Sequence, residues 1–174
     1  MDRLWSPWRS KYIQSTVEKD RDKEETGSLF NRLLQENQDE KNLILWRGEH
    51  VFVMMNLYPY NSGHVMIIPY REVPTYEALT AAERQDMAET LARVMQWLQQ
   101  ALKPEGFNVG MNIGEVAGAG IPEHVHMHVV PRWGGDTNFM PTTCETKVIS
   151  ESLQDTYYRI RAVIHASTAS SADS

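Results

Sequence analysis

Residues 124 to 130 read HVHMHVV, three histidines at every second position with valine or methionine between them. Side chains of an extended strand alternate between faces, so His124, His126 and His128 share one face and Val125, Met127 and Val129 the other. Packing alone is a poor explanation, because three core imidazoles would each need satisfied ring nitrogens in a dry interior. Alternating histidines can also supply neutral ligands to zinc or iron, although Glu123 points to the face opposite His124 and no further ligand is evident. The third chemistry is covalent: a neutral imidazole nitrogen attacks phosphorus while neighbouring rings hydrogen-bond the phosphoryl oxygens. Adjacent cationic rings would repel one another, so the cluster is expected to be mostly neutral at pH 7 and to titrate as a coupled set.

The elements that must carry these rings are legible on both sides of them. The apolar runs NLILW, HVFVMMN and GHVMIIPY, separated by RGE and LYPYNSG, read as antiparallel strands. GFNVGMNIG and HVHMHVVPRW read as two more, joined by the glycine-rich loop EVAGAGIPE. Thr80 to Glu83 form a capping box, and Met87, Leu91, Val94, Met95, Leu98 and Leu102 follow at helical spacing, with an end near Lys103-Pro104. Leu29, Leu33 and Leu34 predict a short helix after Ser28, and Leu153, Tyr157, Ile160 and Ile164 a C-terminal one. The sum is an α+β domain, an antiparallel sheet of about five strands with a long helix and a C-terminal helix. The domain is expected over 28–165, after an N-terminal arm and charged connector at 1–27 and before a disordered tail at 166–174. Trp5, Trp8 and Tyr12 mark the arm as a packing segment, and Trp97, Met87 and Met95 are read as core.

Composition narrows the partners. The chain has 174 residues, 17 basic against 23 acidic, and a formal charge of -6, which argues against binding along a nucleic-acid backbone. Phosphate recognition would have to be local, through the Gly118-Ala119-Gly120 backbone and charge from Arg132. The one cysteine, Cys144, cannot form an intramolecular disulfide and lacks a nearby base, so it is read as inert. The N-terminus carries no signal-peptide pattern and no stretch is apolar enough for a membrane helix, so a cytoplasmic protein with no membrane partner is expected.

HVHMHVVPRW resembles the alternating signature of the histidine triad family, and NLYPYNSGHVMIIP resembles that family's upstream strand pair. LWSPWRSKYI, GFNVGMNIGEVAGAGIPEH and RWGGDTNFMP are similar to a bacterial branch related to the fragile-histidine-triad hydrolases and the diadenosine tetraphosphate phosphorylases. The resemblance implies a homodimer, joined through the long helix and a strand, that acts on nucleotide phosphoanhydrides such as dinucleoside polyphosphates without a cofactor. It implies that His126 attacks the α-phosphorus, that His128 contacts the α-phosphate, that His124 helps the bridging oxygen leave and that His64 supports the triad from the neighbouring strand. Asn56 matches the ribose-contacting asparagine. Asn112, Gly118 and Gly120 are further nucleotide-binding candidates, the asparagine as an amide donor to a phosphate oxygen. Water or inorganic phosphate would release the nucleotide, with phosphorolysis favoured slightly. The alternatives are a nucleoside phosphoramidate hydrolase and a metal-dependent oxygenase or hydrolase that uses the three histidines as ligands.

Two departures from the family pattern matter. Gly120-Ile121-Pro122 stands where a Gln-Ser/Thr-Val often precedes the first triad histidine, so a side-chain donor is missing and loop backbone would have to substitute. Ser28 and Asn31 stand where many bacterial relatives carry zinc-binding cysteines, with His50 and His124 left over, so no structural zinc is expected. His124 would then be oriented by hydrogen bonds, with His64 as the expected partner.

Overall fold

The computed structural model describes residues 27–136 and 151–172. The arm with Trp5, Trp8 and Tyr12, the charged connector and Cys144 lie outside the described residues. The described chain runs α1 (Leu29–Gln35), β1 (Ile44–Arg47), β2 (Val51–Met55), β3 (Val65–Pro69), α2 (Ala81–Leu102), β4 (Gly106–Met111), a single 3₁₀ turn (Glu115–Ala117), β5 (Met127–Arg132) and α3 (Leu153–Ala172). The five strands form one antiparallel sheet in the order β1-β2-β3-β5-β4.

Alternation along the central strands divides the core. Val51, Val53 and Met55 of β2, Val65 and Ile67 of β3, and Val129 of β5 pack with Met87, Val94, Trp97 and Leu98 of α2 and with Tyr157, Ile160 and Ile164 of α3. Phe52, Met54, Met66 and Ile68 point to the other face and meet Phe30 of α1. Both faces being covered explains why β2 and β3 are apolar at every position rather than alternating. In α1 the helical stripe expected through Leu29 is rotated: Phe30 is the buried residue, with Leu33 and Leu34 beside it.

Two further expectations are corrected. The strand expected from His124 begins at Met127, because β3 ends in Pro69, which has no N–H to continue the ladder beyond Ile67 opposite Met127. The Val125 N–H donates instead to the Val73 carbonyl at 2.7 Å, so residues 124–126 are an extended lead-in. α3 continues to Ala172, so residues 166–172 are helical rather than disordered; the Ser167 hydroxyl there accepts from the Trp97 indole at 3.1 Å.

The turn before β3 is set by Gly63, whose φ of +72° favours glycine and whose missing side chain leaves room for Leu102 from the end of α2. This seats His64 at the start of β3. α2 begins at the expected capping box, where Glu83 N–H donates to the Thr80 hydroxyl at 3.2 Å and Thr80 N–H to the Glu83 carboxylate at 2.7 Å. Arg71 closes the arrangement with paired bonds of 2.9 and 2.6 Å to the same carboxylate. The guanidinium, and then the capping N–H and hydroxyl, hold the Glu83 carboxyl down at about 2 from an ordinary 4.5.

A folded carboxyl below its unfolded value contributes stability that is present above the unfolded value and lost as pH falls through the folded one. Urea unfolding across pH 4.5 to 2 is therefore expected to show a stability loss that Glu83→Gln removes in part. An unchanged acid limb in the variant contradicts this role.

Candidate active site

Four imidazoles meet where β3 and β5 lie side by side. Met66 of β3 pairs with His128, and His64 stands just before β3, so its ring comes beside that of His128 with centroids 5.1 Å apart. The His128 and His126 rings are edge to face at 4.8 Å. Phe30 closes the row, its ring edge-on to His124 at 5.3 Å and to His126 at 5.2 Å. The sequence-predicted His64, His124, His126 and His128 are thus one contiguous cluster, and all but His128 are buried.

The partners of these rings determine where each proton sits, because a backbone carbonyl only accepts and a backbone N–H only donates. His126 Nδ1 lies 2.8 Å from the His124 carbonyl oxygen, so Nδ1 carries the proton and Nε2 keeps its lone pair. Tyr60 N–H donates to His64 Nδ1 at 3.0 Å, which puts the His64 proton on Nε2. That N–H donates to His128 Nδ1 at 3.0 Å, and the proton of His128 is therefore on Nε2. The Tyr60 ring also stacks on His64 at 4.8 Å. The two neighbouring rings thus differ in kind, His126 as a lone-pair donor and His128 as an N–H donor.

His124 is different again. Its Nε2 lies 2.8 Å from the Pro69 carbonyl and its Nδ1 2.6 Å from the Ser28 hydroxyl, so both ring nitrogens are held by protein. This corrects one expectation. His64 does not orient His124, because it sits across the row beside His128. Burial pushes the pKa of both His124 and His126 down, with backbone carbonyls opposing, and His124 lowers that of His126 further.

The remaining candidates are distributed around the cluster. Asn56 N–H donates to the His64 carbonyl at 2.9 Å, and the Asn56 side-chain oxygen accepts from Tyr58 N–H at 3.0 Å. Asn112 uses one amide hydrogen on the Gly118 carbonyl at 3.4 Å, so it braces the loop between β4 and the histidine lead-in. Gly118 takes the left-handed conformation there, with φ of +87°, and a side chain added at Gly120 would meet open space. Arg132 is held by Asp136 through bonds of 2.6 and 2.8 Å, and by Asn108 through a third of 2.6 Å. Sequence reasoning missed Phe30, Tyr60, Pro69 and Glu72. Two of these act through backbone atoms, which no residue type announces.

The residues that would hold zinc do not fit it. Ser28 Oγ and His124 Nδ1 are at direct hydrogen-bond distance, leaving no place for an ion between them, and Asn31 donates to Glu72 at 3.0 Å. His50 faces Glu49 and, through its N–H, Asp86. The three triad histidines do not form a ligand set either, since His124 presents no open nitrogen.

A HIT domain family model matches residues 37–135. The AP-4-A phosphorylase of Mycobacterium tuberculosis is 39% identical over 157 residues, covering 90% of this chain and 80% of that one. The asymmetrical bis(5'-nucleosyl)-tetraphosphatase of Schizosaccharomyces pombe is 33% identical over 93 residues, 53% of this chain and 50% of that one. Among solved structures, a zinc-bound histidine triad family protein from Mycobacterium smegmatis superposes with a TM-score of 0.67 at 19% identity, covering 83% of this chain and 97% of that one. The last shows likeness of fold alone.

With its pKa lowered, His126 is expected to titrate below the ordinary histidine value of 6.5, so the neutral ring persists as pH falls through that value. Histidine-selective NMR across the acid range reads this directly. A midpoint above 6.5 for His126 contradicts the buried, Nδ1-protonated ring.

Proposed function

The chain belongs to the histidine triad family, and from that premise we propose that it cleaves dinucleoside polyphosphates through a nucleotidyl-histidine intermediate on His126. The observation that carries the proposal is the bond from His126 Nδ1 to the His124 carbonyl, which leaves the Nε2 lone pair as the attacking group. Nε2 forms a bond to the α-phosphorus while the bond from that phosphorus to the bridging oxygen breaks, and the longer nucleotide leaves. An oxygen of inorganic phosphate, or water, then attacks the same phosphorus, the P–N bond breaks and His126 is regenerated.

The Nε2–H of His128 is given the phosphoryl and leaving-oxygen contacts, since both nitrogens of His124 are taken. Gly118 and Gly120 are given close backbone approach to the phosphates and Asn56 the ribose. Phosphorolysis is preferred to hydrolysis, supported by the name of the Mycobacterium tuberculosis relative and by its 39% identity. No described helix is long and apolar enough to cross a membrane, and the nucleotide chemistry suits the cytoplasm.

A homodimer is proposed through β4 and α2. β4 is one edge of the sheet and half-exposed, with Val109 43% exposed, and an apolar strand edge of this kind is a surface that pairing covers. Sedimentation is expected to give twice the chain mass, and a clean monomer at assay concentration contradicts the dimer.

Incubation with diadenosine tetraphosphate is expected to yield ATP plus ADP only when inorganic phosphate is present. AMP plus ATP without phosphate would assign hydrolysis instead. His126→Gly is expected to keep substrate binding and to lose turnover by about 10⁴-fold or more. Wild-type turnover in that variant removes His126 as the nucleophile.

A further inference from the structure

Ser28 occupies a position that no substrate role requires, yet it ties three parts of the molecule together. Its hydroxyl is 2.6 Å from His124 Nδ1 and accepts from Asn31 N–H at 3.4 Å, while its own N–H donates to the Glu72 carboxylate at 2.7 Å. Asn31 donates to the same Glu72 oxygen at 3.0 Å, so the carboxylate clamps the first turn of α1 from the segment after β3. Ser28 is 2% exposed and His124 fully buried, so neither is a surface contact of convenience.

We propose that Ser28 is a positioning residue for the nucleophile: its hydroxyl donates to His124 Nδ1 and holds His124 so that the carbonyl of His124 keeps the proton of His126 on Nδ1. This rests on the reading of His126 as nucleophile. The direction of the Ser28 bond follows from the opposite side of the ring. Pro69 offers only a carbonyl, so Nε2 of His124 is the protonated nitrogen, and a neutral ring then has an acceptor at Nδ1. The serine hydroxyl can donate there while its own lone pairs receive Asn31.

The lead-in segment needs such a brace because it lies outside the ladder. Its backbone is held by Val125 N–H on the Val73 carbonyl at 2.7 Å and by the longer bond from His124 N–H to Ile121 at 3.3 Å. The carbonyl that receives His126 Nδ1 belongs to the residue whose ring Ser28 and Pro69 pin at both nitrogens. Loss of one pin frees the ring, allows residue 124 to turn and lets the His126 proton exchange to Nε2, where it blocks attack. Hydrogen-bond partners that orient metal-bound imidazoles change activity by about 10- to 100-fold when removed, and the same scale is taken for Ser28.

The test compares Ser28→Gly with Ser28→Thr, since glycine is tolerated as a helix N-cap and removes the hydroxyl together with its Cβ, while threonine keeps both. Ser28→Gly is expected to lower kcat about 10- to 100-fold with KM within about twofold, and Ser28→Thr to retain most of kcat. ¹⁵N spectra of the histidine rings are expected to show His126 as the Nδ1–H tautomer in wild type and Ser28→Thr, and a mixture of tautomers in Ser28→Gly. Wild-type kcat in a folded Ser28→Gly, or an unchanged His126 tautomer in it, overturns the proposal. So does a Ser28→Thr variant as impaired as Ser28→Gly. His126→Gly assayed alongside separates the two claims: if it is inactive while Ser28→Gly is fully active, only the role of Ser28 fails.

Discussion

The hydrogen bond from His126 Nδ1 to the His124 carbonyl, 2.8 Å long and within two residues of chain, is the constraint on which the site depends. A neutral imidazole has one proton and two places for it, and a backbone oxygen that can only accept selects one of them. The rest of the fold serves to keep that oxygen in place. β3 ends at a proline, its carbonyl fixes the His124 ring, and α1 brings Phe30 edge-on against both rings.

The second pair of rings obeys the same logic with the outcome reversed. Tyr60 N–H, a donor that cannot accept, forces the proton of His64 to Nε2 and through it the proton of His128 to its outer nitrogen. A ring that presents a lone pair and a ring that presents an N–H thus stand 4.8 Å apart, centroid to centroid, although both are histidines. Burial favours the neutral state of His126 and pushes its pKa down. Preorganised donors in a dry site act more strongly than the same groups in water.

Much of this was legible in the sequence, and the remainder was hidden for identifiable reasons. Alternation placed His124, His126 and His128 on one side of the chain, and the capping box at Thr80 fixed where α2 starts. Periodicity could not say that Phe30 rather than Leu29 faces the sheet, because a seven-residue helix offers too few turns to define its stripe. Polar residues at the end of α3 read as a tail, whereas a tertiary bond from Trp97 to Ser167 lies within the helix that continues through them. Arg132 read as charge for a phosphate because Asp136, four residues on, was not weighed as its partner. The partners of the His124 ring were hidden for a deeper reason: they are a serine hydroxyl 96 residues away in sequence and a proline carbonyl, and neither belongs to a motif.

The central claim is that Nε2 of His126 becomes covalently bonded to phosphorus during turnover. Rapid acid-free quenching of the enzyme with diadenosine tetraphosphate, followed by peptide mass analysis and ³¹P NMR, measures it most directly. The account predicts an adenylyl group on His126 joined through Nε2, formed and consumed at rates compatible with turnover. Turnover with no adduct, or an adduct on His124 or His128 instead, would contradict it.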